Sequence, residues 1–352
     1  MRQSYSKCWM ILLLLVAPVG CSRVKTKSGV IPATTQSASA PARFGILTRR
    51  AAVGPFVGEV CALTFTRDGK TLIASSHFGA FYAYGDLTFL TPDPLAVLAC
   101  VETDPGYVQA QLMPDGRLLT LTRVPTHITQ VSLDIWDVES RKKVETITHS
   151  GRLWGKMSIS PDGKTVAMHD RSGGQVFLYD MEGRSTKVLA VSEQVNSVDF
   201  APKGSLLAAA GDAQIHLVDT TTWQEKVALK QHSLCVRFSH DGKLLFAGGP
   251  GGNVIWDVQK RQPRVSIPIG EEAYPCCVAF SPDDRVVAIG SAGLVVWDAR
   301  TGSELARMSR KDLVPHSLVF SADGKTLFTG TGDQWDTPGQ GQIVIWDVSK
   351  PE

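Results

Sequence analysis

The residue types that could do chemistry are present, but their spacing forms no catalytic signature. Eight histidines are scattered as His77, His127, His149, His169, His216, His232, His240 and His316. None sits in an H-E-x-x-H motif, and there is no G-x-S-x-G, Walker loop or dinucleotide fingerprint. The seven cysteines include no C-x-x-C pair of the kind that suits a metal or redox centre. Several histidines could still meet through the fold and share a metal, although no ligand spacing in the chain says so. The sequence therefore implies no metal, no cofactor and no enzyme.

Recognition chemistry is better represented. The stretch GDQWDTPGQG, residues 332–341, places Trp335 between Asp333 and Asp336. Two carboxylates are too few for a Ca²⁺ cage. An aromatic in a polar loop suits a protein contact, because interface hot spots favour Trp, Tyr and Arg. The alternative is that Trp335 folds back over its own loop. Arg152 with Trp154, Glu271 and Glu272 with Tyr274, and His127 are further candidates for the same surface, as are Arg310, Lys311 and Asp312.

The elements that must position these residues repeat along the chain. Val254-Ile255-Trp256-Asp257-Val258 recurs as Ile135-Trp136-Asp137-Val138, Val296-Trp297-Asp298 and Ile345-Trp346-Asp347-Val348. Leu178-Tyr179-Asp180 and Leu217-Val218-Asp219 are variants, and Phe81–Asp86 reads as a worn first copy. In phase with these runs come seven turns centred on positions 68, 115, 162, 203, 241, 283 and 323, at spacings of 38–47 residues. Most carry Pro, Asp and Gly, which preset, bond and relax a tight turn. A period of about 40–45 residues with four short strands per unit reads as propeller blades. Runs such as Leu206–Ala210 and Val286–Ile289 are continuously apolar, as strands covered on both faces should be.

On these residues the chain resembles the WD40 family over roughly residues 44–349. The resemblance implies an all-β, seven-bladed β-propeller of four-stranded blades. Trp136-Asp137, Trp256-Asp257, Trp297-Asp298 and Trp346-Asp347 would then be structural. The seventh unit lacks an outer strand, and Phe44–Thr48 is expected to supply it and close the ring. Connections into the innermost and third strands of such a ring share one face, the top. Trp335, Asp333, Asp336, Trp154, Arg152, Tyr274, Glu271, Glu272 and His127 would gather there as a partner-binding surface. The Gly-His usual in the family is mostly missing, and His149 with Asp170 is the best spaced remnant. Thr64, Gln111, Ser158, Asp199 and Arg237 are expected to face the central channel.

The N-terminus reads differently. Arg2 and Lys7 precede the apolar run Trp9–Ala17, which is too short to span a bilayer comfortably. Residues 1–20 read as an export signal. Pro18-Val19-Gly20-Cys21 resembles a bacterial lipobox, which implies that Cys21 is acylated, with plain secretion the alternative. Ser22 after it resembles lipoproteins sorted to an outer membrane. Residues 21–43 are rich in Ser, Thr, Ala, Pro and Lys and read as a flexible tether. Lys25, Lys27, Arg43, Arg49 and Arg50 flank it as solvated charges or headgroup contacts.

With 36 basic and 34 acidic residues interspersed, the chain carries no nucleic-acid footprint. Cys61, Cys100, Cys235, Cys276 and Cys277 read as small core residues, with a Cys61–Cys100 disulfide the alternative. The expectation is a monomeric, non-enzymatic scaffold, lipid-anchored in a bacterial envelope and presenting its top face to another envelope protein. The alternative is an exported enzyme or ligand binder that uses the channel, in the manner of propeller lactonases or quinoproteins.

Overall fold

Apolar runs become strands here because aspartates close the turns between them. Asp68, Asp115, Asp162, Asp241, Asp283 and Asp323 each accept the backbone N–H two residues on, at 2.9–3.2 Å. A hydroxyl two residues earlier, as in Ser160 and Ser239, donates to the same carboxylate. The Asp of each Trp-Asp copy has a separate task. Asp137, Asp257 and Asp298 accept N–H groups of the following turn at 2.7–2.8 Å. The residue four places later then turns left-handed, Arg141 at φ 57°, Arg261 at 59° and Gly302 at 72°. The same turn follows Asp180 and Asp219, which lack the tryptophan.

The computed structural model describes residues 43–349 except 57, 79–83, 104–106, 124–129, 151–152, 171–173, 192–193, 269–273, 310–312 and 333–340. The strands described form seven antiparallel sheets. Their inner strands adjoin in sequence order, and the last, Pro315–Phe320, returns to the first, Glu59–Phe65. The result is a seven-bladed β-propeller.

Blade tryptophans are held by packing plus one hydrogen bond. Trp346 pairs with Leu327 across the sheet, and its indole N–H donates to Thr329 Oγ1 at 3.1 Å. Trp136 bonds Thr120 in the same way. Part-buried Trp256 instead uses Gln231. In blade 6 the position that would accept is Ile289, and the buried Trp297 N–H has no partner among the described residues. Blade 1 departs from expectation. Its third strand is Tyr84–Pro92, and Leu90, opposite Leu72, stands where Trp256 stands opposite Leu245. The worn copy is therefore around Leu90 and not at Phe81–Asp86.

Ring closure also falls later than Phe44–Thr48. Gly45 has φ 57°, so Arg43 and Phe44 fold back on Thr48 and Leu47 as a small hairpin. A Cβ on Gly45 would lie 1.9 Å from Leu305 O of blade 6. The strand that completes blade 7 is Leu47–Phe56, paired with Gly341–Val348 through Ala51↔Ile345, Ala52↔Val344 and Val53↔Ile343. Ile46 is hydrogen-bonded at both backbone groups, to Leu305 O and from Ser349 N. Arg50, expected as a loose flanking charge, donates to Asp347 at 2.8 Å within this seam. Pairing removes the edge that an open ring would expose.

Candidate recognition face and central channel

The top face is reached by the N-terminal ends of the inner strands. Among the expected contact residues, Tyr274 is described; it lies just before the inner strand Cys277–Phe280 and is half exposed. The other described large apolar side chains with comparable exposure, Val144 and Val188, sit on the outermost strands of blades 2 and 3. Trp154 lies in the inner strand Leu153–Ile159, but its side chain is outside the described residues. His127, Arg152, Glu271, Glu272, Asp333, Trp335, Asp336, Arg310, Lys311 and Asp312 also lie outside them, as do Cys21 and the whole tether. The side chains of His149 and Asp170 are likewise not described.

Beneath that face the inner strands are tied to one another by side chains. Gln109 of blade 2 donates to Met157 O of blade 3 at 3.0 Å and accepts Met157 N. Ser158 Oγ accepts Phe200 N of blade 4 at 2.9 Å. Asp199 accepts Phe238 N and Arg237 of blade 5 at 2.8 and 3.2 Å. Ser317 of blade 7 donates to Val60 O of blade 1 at 2.7 Å. Ser158 and Asp199 are thus buried between blades, at 3% and 5% exposure, and do not face the channel. Their partners are backbone N–H groups that the ring would otherwise bury unpaired. Arg237 does reach solvent. Burial pushes the Asp199 carboxyl up, against Arg237 and the Phe238 N–H, which favour its charge.

Two charged features were missed in the sequence. At the seam, Glu59 of blade 1 meets His316 Nδ1 of blade 7 at 2.8 Å, and His316 Nε2 donates to Gly332 O at 2.9 Å. Both contacts are satisfied by an imidazole that carries a proton on each nitrogen, facing an ionised Glu59. Burial opposes both charges, yet Glu59 is held below and His316 above their ordinary values by each other. His77 approaches Glu59 too; it lies in the second strand Leu72–Phe78 and not on a loop.

The second feature crosses the channel. Lys156 of blade 3 donates to Cys276 O of blade 6 at 2.6 Å and lies 3.7 Å from Cys235 Sγ of blade 5. Lys156 is an exposed residue, while protein groups surround its ammonium. Burial opposes its charge, while the sulfurs of Cys235, Cys276 and Cys277 raise its pKa. Cys276 precedes its strand, so alternation does not apply: its sulfur and that of Cys277 are 3.9 Å apart and both face Pro315 O. None of the five described cysteines is bonded to another, and Cys61 and Cys100 form no bridge. The signal for Lys156, Cys235, Cys276 and His316 was positional, six or seven residues before each turn aspartate. Among the described residues no group of His, Cys, Asp and Glu is arranged to hold a metal.

Comparison with known proteins agrees with this architecture. Residues 183–219 match the family profile of the WD domain, G-beta repeat. That stretch runs from the outer strand of blade 3 through the third strand of blade 4, so the repeat in sequence is offset from the blade by one strand. The fold is that of a seven-bladed β-propeller, and one of its repeats is similar in sequence to the WD domain. The chain is 27% identical over 222 residues to the transcriptional corepressor LEUNIG_HOMOLOG of Arabidopsis thaliana, covering 58% of this chain and 27% of that protein. It is 33% identical over 106 residues to the meiotic recombination protein rec14 of Schizosaccharomyces pombe, covering 30% and 33%. It is 26% identical over 175 residues to the small ribosomal subunit protein RACK1y of Oryza sativa subsp. japonica, covering 44% and 48%. Each match spans less than half of the relative's length.

Proposed function

We propose that this chain is a non-enzymatic interaction platform of a bacterial cell envelope, held to a membrane by an acylated Cys21 and offering its top face to a protein partner. The observation that carries the reading is Tyr274. It is an exposed aromatic just before an inner strand, on the face where the chain order also directs Trp335, Trp154 and Arg152. Aromatic side chains are favoured as anchors at the centre of protein interfaces. Similarity to a protein named as a transcriptional corepressor and to one named as a ribosomal subunit protein supports a platform role. The Gly20-Cys21 lipobox and the Ser/Thr/Pro tether supply the attachment, with Ser22 favouring an outer membrane.

Two arms test this. Cys21→Ser should move the protein from the membrane to the soluble fraction of the envelope. A photo-crosslinking residue at Tyr274 or Trp335 should capture one common protein in native envelopes, and one at Val188 should not. Membrane retention of Cys21→Ser would sink the anchor. Equal capture from Val188 would sink the face.

A further inference from the structure

We infer that Cys276 and Cys277 form a thiol–disulfide exchange site at the central channel, whose co-substrate is a small aliphatic disulfide. The inference stands apart from the scaffold reading and would hold if that reading failed. Its basis is geometric. Cys276 is an exposed residue whose sulfur is part-buried, and Cys277, one residue on and 3.9 Å away at sulfur, is buried. An outside disulfide therefore meets Cys276 first, and Cys277 is placed to resolve. Gly290 makes the space: a Cβ there would lie 2.3 Å from Cys277 Sγ and 2.9 Å from Pro315 Cγ. Lys156 reaches across from blade 3 to the Cys276 carbonyl, which brings a fixed cation to the pair.

The exchange balances without any other reagent. The Cys276 thiolate attacks one sulfur of RS–SR; the Cys276 S–S bond forms, the RS–SR bond breaks, and RS⁻ leaves and takes a proton from water. Cys277 gives its proton to solvent and attacks Cys276 Sγ, forming the vicinal disulfide and expelling the second RS⁻. The pair loses two electrons and two protons, and the disulfide gains them as two thiols. Oxidation also removes the S–H groups that face Pro315 O, at 3.1 Å from Cys276 and 3.7 Å from Cys277, so these two polar contacts between blades 6 and 7 are lost.

Electrostatics favour this order of attack. The neighbouring Cys277 sulfur lowers the Cys276 pKa most, and Lys156 of blade 3 and His316 of blade 7 add positive charge, against burial and the Glu59 carboxylate of blade 1. Together they bring Cys276 down to about 7, while Cys277, beside Cys276 and near Cys235 of blade 5, is pushed up. Cys100 is the internal reference, exposed but pushed up to about 11 by burial of its sulfur and by Asp86. Near pH 7.5 the lowered Cys276 thiol is ionised to a much larger fraction than the raised Cys100 thiol. The lower intrinsic reactivity of the more acidic thiolate returns part of that, leaving about 10–100-fold in rate.

The experiment uses the full chain with iodoacetamide and oxidised glutathione as probes, read by intact and peptide mass spectrometry. Iodoacetamide should modify Cys276 at least about tenfold faster than Cys100. Lys156→Met should slow Cys276 several-fold and leave Cys100 unchanged. Oxidised glutathione should remove two hydrogens from the Cys276–Cys277 peptide, and Cys277→Ser should instead retain a glutathione adduct on Cys276. Because the first result uses unaltered protein, misfolding of a variant cannot rescue the idea. An unchanged mass, an adduct confined to Cys100, or alkylation of Cys276 no faster than Cys100 would overturn it.

Discussion

Two tryptophans at the same blade position should respond unequally to the same substitution. Trp346 donates its indole N–H to Thr329, whereas the Trp297 N–H is buried among the described residues without an acceptor, because Ile289 stands where Thr329 does. Both side chains are about equally buried, at 3% and 5% exposure. Replacing either by Phe leaves a similar void, so that term cancels in the comparison. Trp346→Phe also loses a hydrogen bond, about 1 kcal/mol, while Thr329 keeps its own donation to Val344 O. Trp297→Phe removes an unsatisfied buried donor and so recovers about 1–3 kcal/mol. Trp346→Phe should therefore be the more destabilising by about 2–4 kcal/mol. Urea unfolding followed by circular dichroism measures it, with an unchanged slope showing that both variants unfold in the same way. Losses equal within about 0.5 kcal/mol, or a larger loss at Trp297, would refute the hydrogen-bond reasoning.

The Glu59–His316 pair should give stability a pH window. The lowered Glu59 pKa contributes above its unfolded value near 4.5 and is lost as pH falls through the folded value. The raised His316 pKa contributes fully below 6.5 and is lost as pH rises through the folded value. Melting temperature should therefore peak between these limits and Glu59→Gln should flatten the peak; an unaltered profile in the variant would count against the pair. Asp199→Ala should destabilise by about 2 kcal/mol more than Asp199→Asn, because Asn can still accept the buried Phe238 N–H. Equal unfolding midpoints for the two would show that this inter-blade tie is dispensable.

The ring was legible in the sequence because its turns use short-range chemistry. An Asp that bonds the N–H two residues on leaves its mark at fixed spacing, as Asp162 and Asp241 do. What was not legible depended on contacts between blades. Asp199 reads as a channel acid until the neighbouring Phe238 N–H is seen to claim it. Lys156 is 120 residues from Cys276, and Glu59 is far along the chain from His316, so no local pattern pairs them. The closure strand was misplaced because Gly45 was read as one residue of a strand; its left-handed backbone makes it a turn. The recognition loops were read from length and composition, and most of them lie outside the described residues.

Closure of the ring by the N-terminal strand is the claim on which the positions of all seven blades rest. Hydrogen exchange of the backbone amides in Leu47–Phe56, compared with those of Gly341–Val348, tests it most directly. The two segments should exchange together and only on global unfolding, slower than the exposed outer strand Ser185–Ala190. Exchange of Leu47–Phe56 at the rate of unstructured peptide, with Gly341–Val348 still protected, would contradict the closure.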